Sequence, residues 1–172
     1  MTGHTISAPL EVAIGGWARA ELIEALTAAG VALNPSAETL LGGPEFDRPH
    51  PHTVRVVERS VAELGLADGA TLPMILTAAA EDGLLVCPAV TGPYLRLAVL
   101  DQPNAPDTIM SKQAPPSAAL TVATARTSAE FDHPRGFYLR VVDSQPWLRG
   151  YRCTDDAPWQ AQDRFVFRVG QP

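Results

Sequence analysis

At 172 residues, 46% hydrophobic and 19% charged, the chain has the length of one domain and the apolar content of a folded protein, which excludes a disordered or collagen-like chain. Its 13 basic residues face 19 acidic ones for a formal net charge of −6, a balance that opposes phosphate-backbone wrapping and argues against a nucleic-acid partner. No apolar run approaches the roughly 20 residues of a membrane span, and MTGHTISAPLEV lacks the basic start and apolar core of a signal peptide. The expectations are therefore no membrane association and a cytoplasmic location.

The first half reads as short helices separated by turns. Residues 17–29, WARAELIEALTAA, place Leu22, Ile23, Leu26 and Ala29 on one helical side, and Gly30 supplies the stop. Asn34-Pro35 is a capping residue followed by a proline suited to the first helical position, so a second short helix runs to Leu41 and ends at Gly42-Gly43. Residues 42–52, with three Pro and two Gly, form a surface loop, and 53–57, TVRVV, a short strand. Ser60 and Glu63 have capping-box spacing, with a helical turn stopping at Gly65. Residues 71–82 form the next substantial helix, its stripe made of Leu72, Ile75, Leu76 and Ala79, with Pro73 in the first turn and Gly83 at the end.

In the second half the period changes. Residues 84–87, 94–100, 119–124, 137–142, 147–153 and 164–169 read as strands, and DSQP at 143–146 joins two of them as a hairpin. The expected architecture is α+β, with N-terminal short helices packed on a mostly antiparallel C-terminal sheet that is open to partial closure as a barrel. One domain spans residues 1–172, with helix-rich residues 1–83 and strand-rich residues 84–172 sharing a core. Leu22, Leu26, Ile75 and Leu76 are expected to pack on a strand face that includes Leu97, Leu139 and Phe165. The segment 102–117 carries four Pro and is long for a loop in a compact domain.

The strongest internal pattern is an echo of Gly92-Pro93-Tyr94-Leu95-Arg96-Leu97 in Gly136-Phe137-Tyr138-Leu139-Arg140-Val141. Side chains alternate along a strand, so Tyr94 with Arg96, Tyr138 with Arg140, and Trp147 with Arg149 and Tyr151 each share a face, opposite an apolar one. Arginine forks beside aromatic rings suit a carboxylate or phosphate carried on a planar group. The same face is also consistent with arginine stems covering rings while their tips remain in water, or with a protein interface. Charge favours this half for an anionic partner, because residues 94–172 hold 8 acidic and 9 basic side chains against 11 and 4 in residues 1–93. Twelve of the 13 basic residues are Arg, an excess that a high genomic G+C content also produces.

Other chemistry-bearing residues form no recognised motif. His50-Pro51-His52 near Glu45 and Asp47 has no further ligand at a characteristic metal spacing. Asp132-His133 and Asp155-Asp156 lie in turns without a nucleophile motif, and Cys87 and Cys153 are isolated thiols. No cofactor is implied and no catalytic residue is assigned. The reading is a binding or regulatory protein that engages a small anionic or aromatic ligand or a protein partner through Tyr94, Arg96, Tyr138, Arg140, Trp147, Arg149 and Tyr151. The alternative is an enzyme acting on a small substrate with His133, Asp132 or Asp156 as acid or base.

Overall fold

The computed structural model describes residues 5–110 and 115–170. The elements run β1 (Leu10–Ile14), α1 (Arg19–Ala28), β2 (Ala32–Leu33), α2 (Pro35–Leu41), β3 (His52–Ser60), β4 (Ala70–Thr71), α3 (Leu72–Glu81) and β5 (Leu84–Leu85). They continue with α4 (Thr91–Ala98), β6 (Leu120–Val122), β7 (Gly136–Val142), β8 (Gln145–Tyr151), β9 (Pro158–Trp159) and β10 (Arg164–Val169). The fold is α+β, with the short N-terminal helices on a mostly antiparallel sheet that curls into a half-barrel.

Several local elements follow from residues only three or four positions apart. Asn34 accepts the Ala37 amide at 2.9 Å at the start of α2, and Pro35 occupies the first turn. Ser60 and Glu63 bond reciprocally, the Ser60 amide to Glu63 Oε2 at 2.6 Å and the Glu63 amide to Ser60 Oγ at 3.1 Å. The β7–β8 hairpin turns on Asp143 and Ser144, both with positive φ (50° and 63°), as a two-residue primed turn requires.

The main sheet has the order β1-β3-β10-β6-β7-β8-β2, with β5 also on β10. Pairing is antiparallel except at β10–β6 and β8–β2. The C-terminal strand β10 thus lies between β3 from the first half and β6 from the second. Strand β1, whose sequence LEVAI alternates, was not among the expected strands, and β3 is longer than 53–57.

Both faces of the sheet carry apolar clusters. On one, Leu22 and Leu26 of α1 and Leu95 of α4 join Val56, Leu139, Leu148 and Val166. On the other, Ile75 and Ala79 of α3 join Val57, Phe165, Phe167 and Trp159. The expectation of one shared apolar face is therefore corrected. Leu139 and Phe165 face opposite ways, Leu76 is only partly buried at the second cluster, and Leu97 packs on the first from a helix.

That last point corrects the strand expected at 94–100: residues 94–98 lie in α4 and Val99 is its C-cap. Short apolar runs do not distinguish strand from helix by period alone. Here docking decides: Gly92 lies so close to β7 that a Cβ there would meet Phe137 side-chain atoms at 2.8 Å. The echo between 92–97 and 136–141 therefore joins a helix to a strand and is not a structural repeat.

Candidate functional site

Strand register assembles the floor of a cleft. Phe165 of β10 pairs with Thr121 of β6, Thr121 with Tyr138 of β7, and Tyr138 with Arg149 of β8, so these four residues form one row across the sheet. Arg140 pairs with Trp147 and Gly136 with Tyr151 in the same ladder. Tyr138, Arg140, Trp147, Arg149 and Tyr151 consequently share a sheet face, as alternation across the hairpin requires.

Above this face lies a cleft of about 480 Å³, a size ordinary for a small-molecule site. Thr121, Tyr138, Arg149 and Tyr151 border it from the sheet, Trp159 from β9, and Met110, Pro115 and Pro116 from the long segment after α4. Asn34 and Ser36 close another side. Gly150 permits that approach, because a Cβ there would meet Ser36 and Ala37 backbone atoms at 2.6 and 2.8 Å. Asn34 secures it by accepting the Gly150 amide at 2.8 Å and donating to the Gly150 carbonyl at 3.0 Å.

Arg149 is held from two directions. Its Nε donates to the Tyr138 hydroxyl at 2.7 Å, and its guanidinium carbon lies 5.0 Å from the Trp147 ring centroid. Its terminal nitrogens have no hydrogen-bond partner among the described residues. Arg152 also borders the cleft, whereas among the described residues no Asp or Glu does. Burial raises the Tyr151 phenol well above its ordinary range, with Arg135 and Arg126 opposing the shift, so it remains a neutral hydroxyl. The Trp159 ring lies 4.7 Å from Phe165, tilted at 54°, and meets Tyr151 edge-on at 5.7 Å, forming an aromatic wall.

Three expected site residues do different work. Tyr94 is buried on α4, where it contacts Trp17 with ring centroids 5.7 Å apart. Arg96 is fully buried on the same helix, donating to Gln102 Oε1 at 2.8 Å, the Val99 carbonyl at 2.7 Å and the Trp147 carbonyl at 3.2 Å. Burial lowers its pKa to about 10, so it stays charged at neutral pH. Arg140 shares the expected face but is buried, covered by Asp107, Ile109, Met110 and Ser117. It donates to the carbonyls of Ser117 (2.8 Å), Ile109 (2.5 Å) and Asp107 (3.2 Å) and to Asp107 Oδ1 (2.9 Å). It therefore anchors the segment that supplies Met110, Pro115 and Pro116 to the cleft.

Sequence reasoning missed Trp159, Thr121 and Cys153 as cleft residues. Trp159 stands alone in a turn-rich stretch with no periodic pattern, while the even spacing of apolar Leu120 and Val122 marks Thr121 for the opposite face. His133 bonds Thr127 Oγ1 through Nε2 at 3.1 Å, and neither it nor Asp132 or Asp156 borders the cleft. Asp47 pairs with Arg19 at 2.6 Å, and His52 Nδ1 lies 3.0 Å from the His50 carbonyl. Among the described residues, no three His, Cys, Asp or Glu side chains converge as a metal site, and no helix is long and apolar enough to cross a membrane. In comparisons with protein-family models, curated proteins and solved structures, nothing matches the chain.

Proposed function

We propose that the chain is a binding or regulatory module whose arginine and aromatic cleft takes a small anionic ligand with a planar group. The observation that carries this reading is Arg149: a guanidinium fixed through Nε and lying over Trp147, whose terminal nitrogens have no partner among the described residues, at a cleft that Arg152 also borders and that no carboxylate of the described residues borders. Such a fork matches a carboxylate or phosphate, and Tyr138, Tyr151 and Trp159 supply ring contacts. The acid–base alternative has less support, because Asp132, His133 and Asp156 lie outside the lining. Cys153 does border the cleft, but burial raises its pKa and weakens it as a nucleophile.

Calorimetric titration of the full chain with benzoate, phenyl phosphate and benzyl alcohol tests the proposal. The two anions bind and the alcohol binds more weakly. Arg149→Gln lowers anion affinity by about 1.5–3 kcal/mol, the contribution expected of a charge-assisted hydrogen bond. Equal binding of benzoate and benzyl alcohol, or an unchanged benzoate affinity in Arg149→Gln, would overturn the reading.

A further inference from the structure

A second cleft, of about 420 Å³, adjoins the first, and Pro115, Pro116 and Ala119 border both. Its charged lining has the opposite balance: Glu58, Asp163 and Arg164. Arg164 donates from Nε to Glu58 Oε1, and the buried Glu58 also accepts the Ile6 amide at 2.7 Å. Arg164 also pairs with Glu63 at 3.4 Å, so its charge is shared between two glutamates and Asp163 adds a further negative charge to the lining.

Asp163 makes no ion pair among the described residues. Its Oδ2 accepts the Gln160 amide at 2.7 Å, while burial raises its pKa above the ordinary carboxylate value. A partly desolvated carboxylate without a cation is stabilised by an arriving ammonium group. Among the described residues the adjoining cleft is lined by Arg149 and Arg152 and by no acid, so the pair of clefts is electrically bipolar. Between them, Pro115 and Pro116 offer no amide N–H and present an apolar surface to whatever crosses.

We infer that the two clefts hold the two ends of one short peptide-like zwitterion, its carboxylate at Arg149 and its ammonium at Asp163. The inference rests on the anionic-ligand reading of the first cleft and extends it to a ligand class. The aromatic wall of Tyr138, Tyr151 and Trp159 then receives the side chain next to the carboxylate, favouring an aromatic C-terminal residue.

The test is calorimetry of the full chain with peptides of one to four glycines followed by phenylalanine, each with a free or an acetylated amino terminus, and with benzoate alongside. At the length that spans both clefts, the free-amine peptide binds about tenfold to a hundredfold tighter than its acetylated form. Asp163→Asn, which retains an oxygen for the Gln160 amide, removes that difference. If every free and acetylated pair binds equally while benzoate binding depends on Arg149, the bipolar inference is overturned and the anion site stands. If neither benzoate nor any peptide binds, both are overturned.

Discussion

Arg149 and Tyr138 sit directly opposite each other on the β7–β8 ladder, and Arg149 Nε donates to the Tyr138 hydroxyl at 2.7 Å. The bond uses the guanidinium nitrogen nearest the side-chain stem and leaves the terminal pair for a ligand. Tyr138→Phe removes the anchor and preserves the ring, so the expected loss of folding stability is about 1 kcal/mol. Benzoate affinity falls as well, by less than in Arg149→Gln, because the charge remains but is less well ordered. Urea unfolding and calorimetry check the two effects, and an undiminished benzoate affinity would show that the hydroxyl does not position Arg149.

Arg140 is expected to matter for stability more than its place on the arginine face suggests. Its replacement by Ala strips hydrogen bonds from the Asp107, Ile109 and Ser117 carbonyls at once, with an expected cost of about 3 kcal/mol in urea unfolding. The attachment also depends on acid. The Ser117 hydroxyl, then the Ile109 amide, and Arg140 hold the Asp107 carboxyl below its ordinary value. A depressed folded value means that the stabilisation is complete above the unfolded carboxylate pKa and is lost as pH falls through the folded one. The protection of the Ile109 amide against hydrogen exchange, taken relative to its intrinsic rate at each pH, is expected to fall as the pH drops through that window, and Asp107→Asn to lack the step.

The two thiols are expected to differ in reactivity. Cys87 is 2% exposed and burial raises its pKa to about 12, whereas the half-buried Cys153 borders the arginine cleft. Iodoacetamide therefore labels native protein at Cys153 first, faster as pH rises because the thiolate is the nucleophile. Cys87 labels after unfolding. Bound benzoate slows the Cys153 reaction; equal labelling of both thiols in native protein would contradict the burial of Cys87.

We propose that the helical and strand-rich halves unfold as one unit. Strand β10 pairs on one side with β3 and on the other with β6, so each half completes the sheet of the other. Leu139→Ala on one face is expected to cost about 2–5 kcal/mol, and Phe165→Ala on the other about 3–5 kcal/mol. Both substitutions shift a single transition, monitored together by tryptophan fluorescence and circular dichroism. Separate transitions by the two signals would show two independent units.

Much of the local structure was legible from neighbouring residues. The Asn34 cap and the Ser60 and Glu63 pair satisfy backbone groups within a few positions, so short-range chemistry specifies them. The hairpin at DSQP was legible too, but its turn is only Asp143-Ser144: Gln145 and Pro146 belong to β8, and the Ser144 amide donates to Asn104, 40 positions away. Alternation through 136–151 likewise placed Tyr138, Arg149 and Tyr151 on one face, because parity survives wherever the ladder has no bulge.

Tertiary structure decided which arginines remain available. Arg96, Arg140 and Arg149 look alike in their strand-like contexts, but packing of Gly92 against Phe137 makes the first a buried helical residue, and Asp107, Ile109 and Ser117 cover the second. Of these three, Arg149 is the one that keeps terminal nitrogens at the cleft. Trp159 arrives from a separate strand pair, and the second apolar cluster forms when α3 covers the Phe165 side of the sheet. Short hydrogen-bonding patterns are encoded by adjacent side chains. Burial and access depend on which distant segment covers them, and that choice is made by the packing of the whole sheet.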